Sequence, residues 1–238
     1  MDLIFDESEI DCPDCYNTGR IIKIDKEGYS VAVPCKCYQQ RILSRRLKKS
    51  GIIPSEYLKY TLESFDETTA VAKKMKEAAI KFLNDDKANG IGFFGKSGLG
   101  KSHICIAICL QLALQKNQGH VYFSYRPEMQ KLTSAYYCKD QSIYDGLITK
   151  WRTCENLLLD DLWKNSKGKT MDIDTLELRI TYDIINSRYM NHRRTIFSSE
   201  YTVTEIMQID EAVGGRIYEM VVPYGVKCEG KNRRIGGK

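Results

Sequence analysis

Residues 95–102 read Gly95-Lys96-Ser97-Gly98-Leu99-Gly100-Lys101-Ser102, the G-x-x-x-x-G-K-S spacing that wraps a backbone loop around phosphate. Its glycines let consecutive N–H groups turn inward at the start of a helix, whose dipole favours an anion. Lys101 is placed to reach β- and γ-phosphates and the Ser102 hydroxyl to ligate Mg²⁺, with His103 ending the binding run. The loop follows the apolar run Ile91-Gly92-Phe93-Phe94 and precedes the helix-like run His103–Gln115. That is the strand–loop–helix context the motif needs, and it implies a bound nucleoside triphosphate.

A second constellation supplies acids. Leu157-Leu158-Leu159-Asp160-Asp161 is an apolar run closing on two carboxylates. Asp160 suits the Mg²⁺ shell and Asp161 the polarisation of an attacking water, although Asp is one methylene shorter than Glu. Further on, Thr195–Phe197 leads to Ser198, Ser199 and Glu200, polar groups at a strand tip able to sense a γ-phosphate. Arg216, in the turn-and-helix stretch Asp210–Glu219, has two open readings. It serves across a subunit interface to stabilise transition-state charge, or it is a surface arginine pairing with Glu219 or Glu211.

Cys12-Pro13-Asp14-Cys15 and Cys35-Lys36-Cys37 form a third constellation. Two thiolate pairs converging on one ion make a closed Cys₄ set, the ligand set of structural zinc. Between them Arg20–Ile24 and Tyr29–Val33 alternate around Asp25-Lys26-Glu27-Gly28, a hairpin that would bring the pairs together. A segment this short cannot bury enough surface to fold alone, so a metal staple is physically expected. A redox Cys-x-x-Cys would leave Cys35 and Cys37 unexplained.

The elements that position these groups follow. Tyr38–Lys49 reads as a basic helix with Ile42, Leu43 and Leu47 as its apolar side, stopped by Ser50-Gly51. Thr68–Asn84 reads as a helix, and strands are predicted at Ile91–Phe94, Val121–Ser124, Leu157–Leu159, Thr195–Phe197 and near Val221–Val226. Alternating strands and helices predict an α/β parallel sheet with helices on both faces. The expected organisation is a zinc-binding domain over 1–50, a linker over 51–65 and an ATPase domain over 66–238.

Composition bounds the rest. The 238 residues are 42% hydrophobic and 28% charged, as in a soluble globular protein. There is no apolar run of membrane-span length and the N-terminus is acidic, so no membrane is expected and the location is cytoplasmic. In that reducing compartment Cys105 and Cys109 read as buried core thiols rather than a disulfide. The +5 charge concentrates in Lys36–Lys49 (Lys36, Arg41, Arg45, Arg46, Lys48, Lys49) and in a tail with Lys227, Lys231, Arg233, Arg234 and Lys238. Such clusters suit a polyanion, or are simply a solvated helix face and a tail.

Taken together, the cysteine pairs, "GFFGKSGLGKSH", "NLLLDDLW", "RRTIFSSEY" and "GGRIYEM" resemble bacterial and phage replicative helicase loaders of the DnaC/DnaI type. These are AAA+ ATPases related to the ATPase subunit of certain insertion-sequence transposases. The resemblance spans nearly the whole chain, and the cysteine knob is closer to DnaI-type loaders. It implies ATP, Mg²⁺ and Zn²⁺, a zinc-bearing domain that grips a ring-shaped replicative helicase, and an AAA+ core that binds single-stranded DNA and self-associates within the helicase complex. Glu200 occupies the place usually held by a sensor Asn, which passes that role to Ser198 or Ser199. Arg216 falls in the arginine-finger segment, and Met220 stands where some relatives have a second arginine. Only 22 residues follow Arg216, so the expected core lacks a full helical lid. The leading expectation is an ATP-dependent loader. The rivals are a transposition helper on duplex DNA, a small-molecule kinase and a non-catalytic helicase adaptor or inhibitor.

Overall fold

The computed structural model describes residues 3–164 and 171–233. Arg234 and Lys238 of the basic tail lie outside the described residues.

The chain begins with a single 3-10 turn and then a two-stranded antiparallel hairpin, β1 (Arg20–Ile24) and β2 (Ser30–Pro34). Asp25 builds the turn: its carboxylate accepts the Glu27 and Tyr29 amides at 3.0 and 2.8 Å. Tyr29 therefore belongs to the turn, and β2 starts one residue later than the alternation predicts. Helix α1 (Tyr38–Lys49) follows as expected, then α2 (Pro54–Lys59), with Pro54 at its first position, and α3 (Ala70–Asn84), N-capped by Thr69.

The core is a five-stranded parallel sheet. Strands β3 (Gly90–Gly95), β4 (His120–Ser124), β5 (Asn156–Leu162), β6 (Thr195–Ser199) and β7 (Gly225–Cys228) lie in the order β4-β5-β6-β3-β7. The final strand is shorter than predicted. Val221 instead ends a helix, because Val213, Ile217 and Val221 recur at helical spacing and are all buried.

Successive strand residues enter opposite cores. Leu158 and Ile196 join one apolar cluster with α3, while Leu157, Leu159 and Phe197 join the other. The central strands β3, β5 and β6 are thus buried on both faces, which is why they read as continuous apolar runs. Helix α4 (Lys101–Gln115) covers the first face. Helices α5 (Tyr125–Tyr136), α6 (Gln141–Thr153), α7 (Thr175–Met190), α8 (Val203–Ile209) and α9 (Glu211–Val221) supply the second core.

Helix α4 is apolar nearly all round, with residues 104–113 entirely buried. Such a helix needs cover on its outer side as well as the sheet beneath. Leu43 and Leu47 of α1, Ile52, Tyr57 of α2 and the α3 face supply it, all in one cluster with α4. The 51–65 stretch, read from sequence as a linker, therefore carries a helix whose Tyr57 is fully buried.

The basic run Lys36–Lys49 is mostly paired internally. Lys36 meets Asp14, Arg45 meets Glu7, Lys48 meets Asp6 and Arg46 bonds Asn117, while Arg41 is buried.

One polar chain fastens α1 and α2 to the sheet. His120 at the start of β4 bonds through Nε2 to the Tyr57 hydroxyl, which donates to Ser50 Oγ at 2.8 Å, and Ser50 donates to the Leu47 carbonyl at 2.7 Å. This places the imidazole proton on Nε2 and leaves the buried Nδ1 without a partner. Burial holds the His120 pKa at about 4. An unfolded chain, with an imidazole pKa near 6.5, then binds the extra proton between pH 6.5 and 4, so stability falls as pH drops through that window. The loss reaches about 3 kcal/mol by pH 4. In urea titrations at pH 7, 5.5 and 4.5, His120→Gln is expected to lose less stability on acidification than the parent. Equal losses would remove His120 as the titrating group.

Candidate nucleotide and metal sites

The phosphate loop turns on left-handed glycines. Gly95, Gly98 and Gly100 have φ of 125°, 76° and 89°. A β-carbon at Gly95 would stand 2.3 Å from the Cys228 carbonyl oxygen, and one at Gly98 1.9 Å from Asn232 Oδ1. A side chain at Gly95 would push the β7 edge off the loop, while at Gly98 the left-handed φ itself is the constraint. Leu99 is buried and pins the loop to the core. Gly100 caps α4 with no side-chain acceptor, leaving its first N–H groups open to an anion.

Lys101 is 6% exposed and donates to the Gly95 and Lys96 carbonyls at 2.8 and 2.7 Å. Burial pulls its pKa down, while Cys228, Asp161 and Glu200 oppose that. The Lys96 amide donates to the Cys228 carbonyl at 3.0 Å, and Ser97 lines the cleft.

Asp160 is 4% exposed at the tip of β5 and is met by three hydroxyls. Ser102 Oγ donates to Oδ1 at 3.1 Å, Ser198 bonds the same oxygen, and Tyr122 donates to Oδ2 at 3.1 Å. Burial raises the Asp160 pKa and these hydroxyls counter it. A hydroxyl and a carboxylate meeting at a helix N-terminus are hard oxygen donors that fit Mg²⁺.

Asp161 stands at φ 58° and its amide donates to Ser198 Oγ at 2.9 Å. Its carboxylate accepts from Lys164 at 2.8 Å, and the same ammonium lies 3.5 Å from Glu200. Ser199 turns away: its hydroxyl donates to the Leu162 carbonyl at 2.9 Å and accepts the Tyr201 amide at 3.1 Å. Of the two serines, Ser198 touches the acids. His103 Nε2 lies 3.0 Å from the Thr61 carbonyl, and its ring packs against Tyr60 and Phe65 at 4.9 and 5.0 Å between centroids. Arg216 is on α9, donating to Asn186 at 2.8 Å and stacking over Tyr182 at 4.9 Å, away from the cleft. Glu219 is occupied by the Tyr189 hydroxyl.

The resulting cleft, of about 310 Å³, also contains Tyr60, Phe65, Lys164 and Arg233, which sequence reasoning missed. Arg233 arrives from the tail after β7, its amide on the Gly98 carbonyl at 3.0 Å and its guanidinium on the Asp66 carbonyl and the Thr69 hydroxyl at 2.9 and 2.8 Å. Lys164 had a readable signal, three residues past Asp161, and Arg233 stood only among the basic residues of the tail, with nothing to place it at the loop. A larger groove of about 720 Å³ beside α5 contains none of the predicted site residues.

The four knob cysteines converge. Cys12 and Cys35 sulfurs are 3.6 Å apart, as are those of Cys15 and Cys37, and all four lie within 4.8 Å of one another. Tetrahedral zinc with Zn–S near 2.3 Å has sulfur–sulfur edges of about 3.8 Å, so the set fits the ion. Second contacts brace it. Gly19 N–H donates to Cys15 Sγ at 3.3 Å, and Arg41, 3% exposed, donates from Nε to Cys37 Sγ at 3.3 Å. The same guanidinium binds the Ile10 carbonyl at 2.7 Å and Asn17 at 3.1 Å. A residue read as part of a solvated basic face is thus a buried counter-charge for thiolates.

In the sheet, β6 lies between the phosphate-loop strand β3 and the acid-bearing strand β5. That order, with the loop and acids at strand carboxyl ends, defines an AAA+ P-loop nucleotide-binding core. The model of the bacterial DnaA ATPase domain matches residues 58–222, and the chain belongs to that family. It is 31% identical over 226 residues to the uncharacterized protein YqaM of Bacillus subtilis (strain 168), covering 89% of this chain and 68% of that one. It is 24% identical over 227 residues to the replicative helicase loader DnaI of the same organism, covering 89% of this chain and 70% of the relative. The crystal structure of the DnaC helicase loader superposes with a TM-score of 0.60 at 19% identity, over 73% of this chain and 98% of that one. The resemblance to DnaC/DnaI-type AAA+ loaders read from the sequence stands.

Cys12→Ser is expected to drop bound zinc from one equivalent to well below one and unfold the knob, since a site of this kind supplies folding energy directly. Fluorescent ATP-analogue binding is expected to persist. Full zinc retention by atomic absorption would contradict the ligand set.

Proposed function

We propose that this protein is an ATP-dependent loader that delivers a replicative ring helicase onto single-stranded DNA during replication initiation or restart. One observation carries the reading. A braced Cys₄ knob is joined in one chain to a DnaA-family ATPase core, and a relative named as a replicative helicase loader shares that chain over most of its length. In this reading residues 1–50 grip the helicase, 51–65 connect, and 66–238 are the ATPase domain. Residues 3–164 and 171–233 contain no helix long and apolar enough to cross a membrane, consistent with a cytoplasmic partner.

The residues divide the chemistry. Gly95, Lys96, Ser97, Gly98, Leu99 and Gly100 wrap the phosphates with backbone N–H groups, and Lys101 neutralises the β- and γ-phosphates. Its present carbonyl bonds leave the ammonium at the loop mouth. Ser102 and Asp160 would hold Mg²⁺, which supplies charge neutralisation at the phosphates. Tyr60, Phe65 and His103 offer ring surfaces for a purine. Asp161 takes the proton of the attacking water as the new phosphorus–oxygen bond forms and the bond to the β-phosphate oxygen breaks. Arg216, whose guanidinium is held on α9, would act on a neighbouring copy's nucleotide. Ser199 supports the β6 tip from behind.

DNA binding with and without ATP tests the reading. Single-stranded oligonucleotides are expected to bind in an ATP-dependent manner, with that dependence lost in Lys101→Ala. A preference for duplex would instead favour the transposition helper, and no DNA or helicase binding at all would overturn the loader. Asp161→Asn is expected to bind ATP normally and hydrolyse it at least 100-fold more slowly. Undiminished turnover would remove Asp161 as the base.

A further inference from the structure

Neither sequence motif accounts for Lys164. It sits beyond the paired acids, and the backbone there is unusual. The β5–β6 register shifts between Leu159 and Leu162, and two non-glycine residues, Asp161 and Trp163, stand at φ 58° and 60°. Such positions persist only where the surroundings fix them. Here the Asp161 amide is tied to Ser198, Trp163 is 1% exposed, and the Lys164 amide returns to the Asp161 carbonyl at 2.9 Å. A strand continuing in extended form would carry residue 164 away from the cleft. This turn brings its ammonium back, 2.8 Å from Asp161 and 3.5 Å from Glu200, to line the cleft with Lys101 and Ser102.

The charges show what the turn accomplishes. Asp160, Asp161 and Glu200 cluster at neighbouring strand tips, and Asp161 and Glu200 both lie close enough to act on Lys101. A triphosphate brings several more negative charges to the same place. An ionised carboxylate at Glu200 has no proton to donate and repels a γ-phosphate. Lys164 has three donors and is only partly committed, its side chain 41% exposed.

We propose that Lys164 is a catalytic residue that donates from its ammonium to the γ-phosphate of bound ATP, with Glu200 as the positioning residue that holds it there. The Glu200–Lys164 pair then supplies the donor that Glu200 alone lacks, and stabilises charge gathering on the transferred phosphoryl group. Asp161 is freed as base when the ammonium shifts toward the phosphate. The inference rests on the ATPase reading above.

The test uses the full-length protein with Mg²⁺: a fluorescent ATP analogue for affinity, single-turnover hydrolysis for rate, and thermal unfolding as a check on folding. Lys164→Ala is expected to keep its analogue affinity within about threefold and to lose about 100-fold in hydrolysis rate. Lys164→Arg is expected to retain most of the rate. Adding Glu200→Asn to Lys164→Ala is expected to recover about tenfold, because a neutral amide donor replaces an unpaired carboxylate. A merely structural lysine would show no such rescue. Hydrolysis by Lys164→Ala at or above the parent rate overturns the proposal, as does a double variant no faster than Lys164→Ala alone. A parent chain that neither binds nor hydrolyses ATP overturns the ATPase reading, and the proposal with it.

Discussion

The Asp160 carboxylate, buried at the end of a sheet strand and held by three hydroxyls, is the interaction on which the site depends. An ionised carboxylate so placed is costly unless its lone pairs are satisfied. Ser102, Ser198 and Tyr122 satisfy them, one from the start of α4, one from β6 and one from β4. The same bonds therefore set the distance between the phosphate loop and the acid strand. Ser198 also receives the Asp161 amide, so the second acid is fixed by the group that fixes the first. Removing any one hydroxyl leaves a buried charge short of a partner, which costs more than the bond itself contributes.

The sheet beneath imposes the complementary constraint. Strands buried on both faces must be apolar throughout, so every charge they carry gathers at their ends. Asp160, Asp161 and Glu200 lie at or just past carboxyl ends for that reason, where backbone and helix N-termini can solvate them. Their crowding creates the surplus of carboxylates that Lys164 balances.

Much of this was legible in the sequence because it is local. The phosphate loop, the apolar strands ending in acids and the cysteine pairs are short patterns whose geometry follows from spacing. Helix α1 emerged with its predicted bounds from its apolar spacing and the Ser50-Gly51 stop. What could not be read depends on distant packing. The burial of Arg41 requires Ile10, Asn17 and Cys37 to converge on it. The arrival of Arg233 over Gly98 requires β7 to be placed first. Ser198 and Ser199 are neighbours of one type, and only the register of β6 against β5 decides which faces the acids. The paired basic residues of α1 make the same point: a one-dimensional charge run says nothing about Glu7 and Asp6 folding back on it.

The apolar circumference of α4 explains why the segment between knob and core is ordered. Left bare, its outer side would expose apolar side chains to water, at about 1.5–3 kcal/mol for each one. Helices α1 and α2 remove that cost, and the His120–Tyr57–Ser50 chain fixes their seating against β4. Cys37 is the N-cap residue of α1, and Tyr60, the residue ending α2, packs on His103 beside the phosphate loop. The segment that starts at the thiolate cluster therefore ends beside the nucleotide cleft.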